Sequence, residues 1–408
     1  MYLSEVKNII MEELFQFQTY VLAQVNQNFT RYLLPKLYAN ERLLGIKGLG
    51  GVGKTTLLLQ YLKYQYENKK QGLYVSADHP YFYTHSLFDT AQLWYQSGGK
   101  LLIIDEVHKY ENWSRELKLI YDGFPDFQVL FTSSSALNLF RGESDLSRRL
   151  IVQNLNGMSF REFLNFRYGQ TFEAYSLEDI ITHHIEISSE IVGKIKILPH
   201  FQIYLKNGYF PFVKNEDDPL VNQRIIQVVN TILEVDLMNS MDYSAANINK
   251  LKKLLGIIAE SPPFEPNITK IANRLNISRN KVYDYIYELG DALLVRNMSR
   301  TGKGMSRLQK PDKIYFENTS LAHTMTANAD MGSIRETFFL NQLSNANHTL
   351  NLVSKGDFVV DGQYTFEVGG KNKTNKQIAG ISNAFIAMDG IEVGFAHKIP
   401  LWLFGFLY

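Results

Sequence analysis

Residues 48–55 read Gly48-Leu49-Gly50-Gly51-Val52-Gly53-Lys54-Thr55 and fit the pattern G-x-x-x-x-G-K-[ST] at every fixed position. The apolar segment 42–47 predicts a buried strand before this loop, and 56–62 predicts a helix after it. Strand, glycine-rich loop and helix in this order are the context in which the pattern binds phosphate. A glycine-rich turn without a ligand is the alternative, and the agreement of pattern with context favours phosphate binding.

The chemistry of such a loop assigns roles to its residues. Glycines let backbone N–H groups converge on phosphate oxygens at the N-terminus of a helix. Lys54 is expected to reach the β- and γ-phosphates of ATP, and the Thr55 hydroxyl is expected to bind Mg²⁺. The residues predicted to bind the nucleotide are those of the loop and the start of the helix: Gly48, Gly50, Gly51, Val52, Gly53, Lys54, Thr55 and Thr56.

A second motif is the apolar run 101–104 followed by Asp105 and Glu106. Four consecutive apolar residues are typical of a parallel strand buried on both faces, and open α/β sheets bind ligands at the carboxyl ends of such strands. Asp105 is therefore expected to hold Mg²⁺, directly or through water, and Glu106 to orient and deprotonate the attacking water. Two acids at a strand end by chance are the alternative. His108 either senses the γ-phosphate or is a surface-loop histidine, and the second case is the commoner one.

A third apolar strand, beginning at Val129, ends in the hydroxyl-rich segment 132–135. Ser133 is a candidate contact for the γ-phosphate or the lytic water, whereas Ser134 or Ser135 can instead cap the helix that follows. Arg148 and Arg149 come next, and either can supply an arginine finger or form a surface ion pair.

Length and composition set the boundaries of the prediction. A chain of 408 residues predicts two or three domains, and 45% apolar with 20% charged residues are globular values. The net charge of +1 means that any nucleic-acid surface is local, and the absence of cysteine excludes disulfides. The N-terminus has no signal-peptide pattern, and the apolar run 399–408 is far shorter than the ~20 residues of a membrane helix. We therefore expect a cytoplasmic protein with no membrane contact.

Several segments together resemble a group of bacterial and archaeal AAA-type ATPases that carry a C-terminal domain similar to a restriction-endonuclease core. They are 104–108, Asn112-Trp113, 132–135, Arg149 and Ser159-Phe160-Arg161-Glu162-Phe163. The resemblance implies a P-loop NTPase sheet with a helical lid, and it gives Arg149 rather than Arg148 the family's arginine position. Two departures concern the third-strand motif, where Thr132 replaces the usual glycine, and Arg148, which also replaces a glycine. The predicted α/β organisation is an AAA-type core over 1–160, a helical lid over 161–248, a winged helix-turn-helix over 249–312 and a nuclease-like domain over 313–408.

The segment 267–310 combines helix-turn-helix spacing with basic charge. Helices are predicted over 268–275 and 279–289 with a turn between them, and the segment carries a net charge of +6. Arg279 and Lys281 are candidate contacts to DNA phosphates. Domain packing without DNA is the alternative, because Asp284 and Glu288 on the second helix would oppose a phosphate backbone.

The last segment, 313–408, predicts a hairpin whose strands carry Asp357 and Glu367. Together with Glu336 these acids resemble a nuclease metal set, so Asp357 and Glu367 form a candidate second metal site. The catalytic lysine of such nucleases lies two residues after the glutamate, where this chain has Gly369, and the next lysine is Lys371. A retained fold without robust cleavage is therefore expected.

These observations predict an ATP-hydrolysing protein of AAA type, with Mg²⁺ as its metal, whose nucleotide state controls a C-terminal module in contact with DNA. Self-association is a further expectation if Arg149 acts on a neighbouring subunit. Two alternatives stay open, a nucleotide-gated protein-interaction switch without nucleic acid and an ATP-regulated nuclease.

Overall fold

The computed structural model describes residues 2–26, 28–37, 41–133, 146, 148–213, 219–238, 243–260, 263–300 and 310–408, and for residues 2–10 it describes the backbone. The chain divides into two compact units, Met1–Asn156 (unit 1) and Gly157–Tyr408 (unit 2).

Unit 1 is built on a five-stranded sheet whose neighbouring strands are all parallel. Its strands are β1 (Leu43–Lys47), β2 (Gly72–Ser76), β3 (Leu101–Asp105), β4 (Gln128–Ser133) and β5 (Ile151–Asn154). They lie in the order β2-β3-β4-β1-β5, so β4 separates β1 from β3. Because the strands are parallel, their carboxyl ends meet at one edge of the sheet.

Helices follow the strands in the alternation that a parallel sheet requires. The helices of unit 1 are α1 (Tyr2–Ala23), α2 (Lys54–Gln60, continued by a π-helical turn to Gln65), α3 (Leu87–Gln96) and α4 (Trp113–Gly123). The strands β1 and β3 are buried along almost their whole length, as their unbroken apolar sequences predict. The Ser86 hydroxyl accepts the Asp89 N–H and begins α3.

Strand β2 is an edge strand, and α1 satisfies part of its backbone. The Gln18 amide donates to the Gly72 carbonyl (3.4 Å), and its oxygen accepts the Tyr74 N–H (2.6 Å). One buried amide thus makes two of the hydrogen bonds that a neighbouring strand would make and covers part of this edge.

Unit 2 begins with a helical region. Its helices, in chain order, are α5 (Phe160–Tyr168), α6 (Leu177–Val192), α7 (Ile197–Asn207), α8 (Val221–Thr231), α9 (Ala245–Ala259), α10 (Ile268–Leu275) and α11 (Arg279–Asp291). A capping box of Ser159 and Glu162 begins α5. Asn276, at φ 50°, ends α10, and the Ser278 hydroxyl begins α11.

Two sheets complete unit 2. An antiparallel pair, β6 (Val295–Met298) and β7 (Lys313–Phe316), follows α11. After α12 (Thr319–Met325) and α13 (Met331–Asn345) comes a mixed sheet of five strands. They are β8 (Leu350–Leu352), β9 (Phe358–Val360), β10 (Tyr364–Gly369), β11 (Ala384–Met388) and β12 (Lys398–Pro400), and they lie in the order β12-β11-β10-β9-β8. The pair β9–β10 is antiparallel, whereas β11 and β12 run parallel to β10.

The predicted α/β class with a parallel sheet is confirmed, and the first helix of the predicted helix-turn-helix has the predicted bounds, 268–275. After α1 ends at Ala23, a short 3₁₀ turn covers Leu34–Lys36. The predicted boundary at 160 lies close to the division after Asn156. The proposed domains 161–248, 249–312 and 313–408 all fall within unit 2 and remain predictions.

Candidate functional site

The loop 48–53 joins β1 to α2 at the carboxyl edge of the sheet. Gly51 and Gly53 have φ values of 79° and 96°, a left-handed conformation that glycine adopts without strain. A Cβ on Gly48 would lie 2.2 Å from the Leu155 carbonyl oxygen, so no side chain fits there. These glycines let the backbone wind tightly into the first turn of α2, where free N–H groups can meet an anion.

Lys54 is buried, and its ammonium lies within the loop. Its Nζ donates to the carbonyl oxygens of Gly48 and Leu49, both at 2.9 Å. A phosphate held by the loop N–H groups would offer this ammonium charged oxygens, which form stronger hydrogen bonds than carbonyls do. The ammonium therefore lies where an anion held by the loop could accept its hydrogen bonds.

A buried arginine fixes the loop from the other side. Arg31 donates one Nη hydrogen bond to the Val52 carbonyl (2.5 Å) and another to the Asn156 carbonyl (2.6 Å). The same segment holds α2, because the Gln60 amide donates to the Asn26 and Phe29 carbonyls. The loop geometry thus depends on residues far apart in sequence.

Asp105, at the end of β3, is buried and accepts hydrogen bonds from three hydroxyls. Thr55 donates at 2.7 Å and Tyr74 at 3.0 Å to Oδ2, and Thr132 donates to Oδ1. Burial and the Asp105 charge both raise the pKa of Tyr74, so its phenol stays protonated and donates. The Thr55 hydroxyl and the Asp105 carboxylate are hard oxygen ligands in contact with each other, which fits the ligand preference of Mg²⁺.

Glu106 follows Asp105 in a left-handed conformation, with φ 55°. Its N–H donates to the Thr132 hydroxyl (2.9 Å), so Thr132 links both acids. Its side chain is 25% exposed, and its Oε2 lies 3.4 Å from Lys109 Nζ and 3.8 Å from His108 Nε2. A partly exposed carboxylate at this edge of the sheet can accept a proton from water.

The His108 side chain is only 6% exposed, contrary to the commoner expectation of a surface-loop histidine. Its Nδ1 lies 3.3 Å from the Ser133 hydroxyl at the end of β4. Burial, followed by the charges of Lys54 and Lys109, lowers the pKa of His108 to about 4. The neutral imidazole therefore connects β4 with the loop that carries Glu106. Ser134 and Ser135, the proposed helix caps, lie outside the described residues.

Arg149 is separated from this group within unit 1. Its guanidinium makes two hydrogen bonds to the Asp122 carboxylate, at 2.8 and 3.1 Å. It precedes β5 and therefore lies at the amino edge of the parallel sheet, whereas Lys54 and Glu106 lie at the carboxyl edge. Arg148 has a φ of 80°, and the structure gives it no role in the site.

The acids proposed in unit 2 come from three elements, because Glu367 lies on β10, Asp357 directly precedes β9 rather than lying on a strand as predicted, and Glu336 lies on α13. Asp357 Oδ2 accepts the Val368 N–H across the β9–β10 pair (2.7 Å), beside the buried Glu367. Glu336 accepts a hydrogen bond from the Tyr315 hydroxyl (2.6 Å). In the part of the chain that the structure describes, no group of three or more His, Cys, Asp or Glu residues is arranged to hold a metal ion. The pair Asp357 and Glu367 therefore stays a proposal as a metal site.

The lysine that meets Glu367 is Lys373 rather than Lys371. Strand β10 ends at Gly369, and the chain then returns so that Lys373 Nζ lies 2.5 Å from Glu367 Oε1. The Lys371 side chain lies against Gly390 instead. The Gln377 amide, oriented with its nitrogen toward Glu367, donates to both carboxylate oxygens at 2.7 and 2.9 Å.

The two candidate DNA contacts on α11 differ. Arg279 is exposed. Lys281 donates to the Tyr243 hydroxyl (2.8 Å) and lies 4.7 and 4.9 Å from the ring centres of Tyr243 and Tyr285. Its charge is thus already engaged by cation–π contacts within unit 2.

The sequence analysis did not identify several residues of the unit 1 site, namely Arg31, Tyr74, Asp78 and Lys109. It also did not predict that the Thr132 hydroxyl donates a hydrogen bond to Asp105. Lys109 had a signal, since it follows Glu106 by three residues. Tyr74 and Thr132 come from the two strands beside β3, and only the strand order brings them to Asp105.

Residues 40–164, which contain the loop and both acids, match the model of a family described as an AAA domain. Residues 198–331 match a second model, described as a domain of unknown function (DUF8612). The chain is also similar to "Uncharacterized protein MJ1637" of Methanocaldococcus jannaschii, with 27% identity over 391 residues, which cover 88% of this chain and 82% of that protein.

Among solved structures, the Walker-type ATPase of Pyrococcus abyssi matches with a TM-score of 0.41 and 13% identity, covering 72% of this chain and 93% of that one. The Orc1 protein of Aeropyrum pernix, solved in complex with DNA, matches with a TM-score of 0.30 and 13% identity, covering 77% and 91%. Over the described ranges, no helix is long and apolar enough to cross a membrane.

Proposed function

We propose that unit 1 binds ATP with Mg²⁺ and hydrolyses it, and that the nucleotide state controls unit 2, which contacts DNA. The first part of this proposal rests on the hydrogen bond between the Thr55 hydroxyl and the Asp105 carboxylate. Thr55 follows the buried Lys54 in the sequence, and Asp105 precedes Glu106. This set contains a phosphate-binding cation, two metal ligands and a carboxylate that can act as a base. The match of residues 40–164 to an AAA domain supports it.

Each residue has one task in this proposal. Lys54 binds a phosphate, and Thr55 and Asp105 would hold Mg²⁺, which supplies positive charge to the phosphates. Glu106 orients water and accepts its proton, while Thr132 holds the backbone of Glu106 in place. Ser133 is a candidate contact for the γ-phosphate, connected to the loop of Glu106 through His108.

Two variants test hydrolysis. Lys54→Ala should remove nucleotide binding or turnover, whereas Glu106→Gln should bind ATP and turn it over slowly, because the metal ligands remain while the base is lost. Phosphate release and equilibrium ATP binding are measured on the full chain. Equal turnover by the wild type and Glu106→Gln would remove Glu106 from the role of base.

The position of Arg149 at the amino edge favours action on a neighbouring subunit over action in its own site. In that case Arg149→Ala protein, which keeps its loop, and Lys54→Ala protein, which keeps its arginine, should regain turnover when mixed. Light scattering on the same samples reports assembly. Assembled mixtures that stay inactive at every ratio would argue against a shared site.

For unit 2, one observation favours the alternative of a protein-interaction switch. Three of the basic residues in 267–310 are engaged within the chain: Lys281 by the tyrosines, Arg274 by Glu260 and Arg296 by Glu317. Anisotropy titrations with duplex DNA at two salt concentrations separate the two functions. DNA contact predicts a log–log salt slope of several units, and a protein switch predicts no saturable binding.

The third function, an ATP-regulated nuclease, is the least supported. Lys373 is bonded to Glu367 and does not lie on the strand. We expect no robust cleavage of linear duplex or single-stranded DNA with Mg²⁺ or Mn²⁺, with or without ATP. Metal-dependent cleavage that disappears in Glu367→Ala, with ATP turnover unchanged, would establish the nuclease instead.

A further inference from the structure

A surface pocket of about 410 Å³ lies beside the mixed sheet of unit 2. Two of its residues, Lys371 and Gly390, come shortly after the ends of the parallel strands β10 and β11. The pocket therefore lies at the carboxyl edge of these strands, where open α/β sheets bind ligands. Its lining does not include Asp357 or Glu367, so it is distinct from the candidate second metal site.

The lining of this pocket combines positive charge with apolar surface. Lys371 and Lys398 supply two ammonium groups, against the single carboxylate of Glu392. The remaining side chains of the lining are apolar, and they belong to Leu198, Met388, Ile391 and Phe395. A ligand that matches this lining carries negative charge next to a flat or apolar group.

Phe395 is half-exposed, although its backbone is held in place. The residue is 50% exposed, an unusual position for a large aromatic side chain. Its N–H donates to the Lys398 carbonyl (3.0 Å), and its carbonyl accepts the Lys398 N–H (2.9 Å), which closes a tight turn. Nearby, the Trp402 indole N–H donates to the Ile391 carbonyl (3.2 Å). A partner that stacks on this ring would therefore order little additional backbone.

The two lysines are placed by the ring and by a glycine. The Lys398 ammonium lies 4.9 Å from the centre of the Phe395 ring. Gly390, at φ 80°, makes room for Lys371, because a Cβ at position 390 would lie 2.9 Å from Lys371 Cε. Lysine stems that pack in this way keep their charged ends at the surface, where they can meet phosphate.

We propose that this pocket binds single-stranded DNA, with a base stacked on Phe395 and the neighbouring phosphates bound by Lys371 and Lys398. The stacking requires an unpaired base, because the faces of bases within a duplex are covered by their neighbours. An acidic peptide would match the lysines, but a nucleotide also matches the exposed ring, since each phosphate is accompanied by a flat base. The pocket rests on the proposed contact of unit 2 with DNA, and it places that contact away from α11.

The test uses anisotropy titrations of the full chain with a fluorescein-labelled oligothymidine of about 15 nucleotides. Phe395→Leu keeps an apolar side chain but removes the ring, and it should weaken binding roughly five- to thirtyfold, as expected for the loss of one stacked base. Phe395→Tyr keeps the ring and should bind like the wild type. Circular dichroism checks that each variant is folded.

The lysines should show a different signature, because phosphate contacts release counterions and stacking does not. Lys371→Met and Lys398→Met should each lower the log–log salt slope of oligothymidine binding by about 0.7 units, the share of one phosphate contact on a single strand. Phe395→Leu should lower the affinity and leave this slope unchanged. Lys376→Met, which removes an exposed lysine of unit 2 outside the pocket lining, is the matched control.

Two results would overturn the pocket: a wild type that does not bind oligothymidine, or Phe395 and lysine variants that bind it as the Lys376→Met control does. Duplex titrations of the same proteins decide whether the proposed function fails as well. If the pocket fails but duplex binding remains, unit 2 still contacts DNA through another surface. If neither form of DNA binds, the proposed DNA contact fails together with the pocket.

Discussion

Asp105 in unit 1 and Glu367 in unit 2 are both buried carboxylates on sheet strands, but their partners differ in charge. The hydrogen bonds to Asp105 come from the neutral hydroxyls of Thr55, Tyr74 and Thr132. Glu367 is met by the Lys373 ammonium at 2.5 Å, with the Gln377 amide beside it. Neutral donors stabilise a carboxylate without cancelling its charge, whereas a lysine cancels it.

The difference favours metal binding at Asp105 over metal binding at the candidate second site of Asp357 and Glu367. A buried negative charge without a paired cation is costly, and a divalent ion bound beside it offsets that cost. Burial raises the pKa of Glu367, and the adjacent Lys373 counteracts part of that rise. The cation beside Glu367 is thus the side chain of Lys373, whereas at Asp105 a bound metal ion could supply the positive charge.

The largest expected effect comes from removing the charge that should hold the metal. Asp105→Asn should lower ATP turnover by roughly 100- to 1000-fold, the range for loss of one electrostatic group in an active site. Glu367→Gln, the matched change in unit 2, should leave turnover at the wild-type level. The comparison fails if both variants lose turnover equally, or if neither does.

His108 gives unit 1 a pH-dependent stability. Its pKa is lowered from 6.5 to about 4 in the folded protein, so protonation favours the unfolded chain between these values. The His108 contribution is fully present above pH 6.5 and is lost as the pH falls toward 4, by roughly 3 kcal/mol.

Urea unfolding of a Trp402→Phe protein, in which only Trp94 and Trp113 report, measures the effect in unit 1. His108→Gln should flatten the fall in unfolding free energy between pH 6.5 and 4. Stability curves of the two proteins that run parallel across this range would contradict the buried neutral histidine.

Removing Lys373 should reveal the free-energy cost of burying the Glu367 carboxylate without a cation. Lys373→Met leaves the fully buried Glu367 without its cation, and we expect a loss of about 1–2 kcal/mol in unfolding free energy. This is less than for a fully buried ion pair, because the Lys373 side chain is 33% exposed. The double variant Lys373→Met/Glu367→Gln should recover most of the loss.

In a Trp94→Phe/Trp113→Phe protein, the fluorescence of Trp402 reports the unfolding of unit 2 in the same urea experiment. Mn²⁺ at millimolar concentration should stabilise Lys373→Met and not the wild type, since a cation can then take the place of the ammonium. A double variant as unstable as the single one would show that packing of the lysine stem, rather than charge, explains the loss.

The smallest expected effect concerns DNA. Arg279→Ala should lower the salt slope of DNA binding by about one unit, the share of one phosphate contact. Lys281→Ala should change the slope less, because Lys281 is already engaged by Tyr243 and Tyr285. Anisotropy titrations over a series of salt concentrations measure both. Equal effects of the two substitutions would mean that Lys281 leaves the tyrosines to meet phosphate.

The elements that sequence predicted well are those whose chemistry is local. The loop 48–55 and the acids Asp105 and Glu106 each combine a short motif with the strand that precedes it. The burial of His108 was not predictable in this way, because it depends on Ser133 and on packing from other elements. The contact of Lys373 with Glu367 was not predictable either, because strand periodicity cannot describe a chain that turns after Gly369 and brings Lys373 back.

Arg31 has a consequence for the order in which the protein acquires its structure. Its two hydrogen bonds join it to Val52, 21 residues away, and to Asn156, 125 residues away. Contacts between residues so distant in sequence form late in folding, because the intervening chain must first be ordered. The loop of residues 48–53 can therefore reach its final geometry only after β5 has been made and added to the sheet. A nascent chain emerging from the ribosome would carry the complete loop sequence long before it could hold a nucleotide.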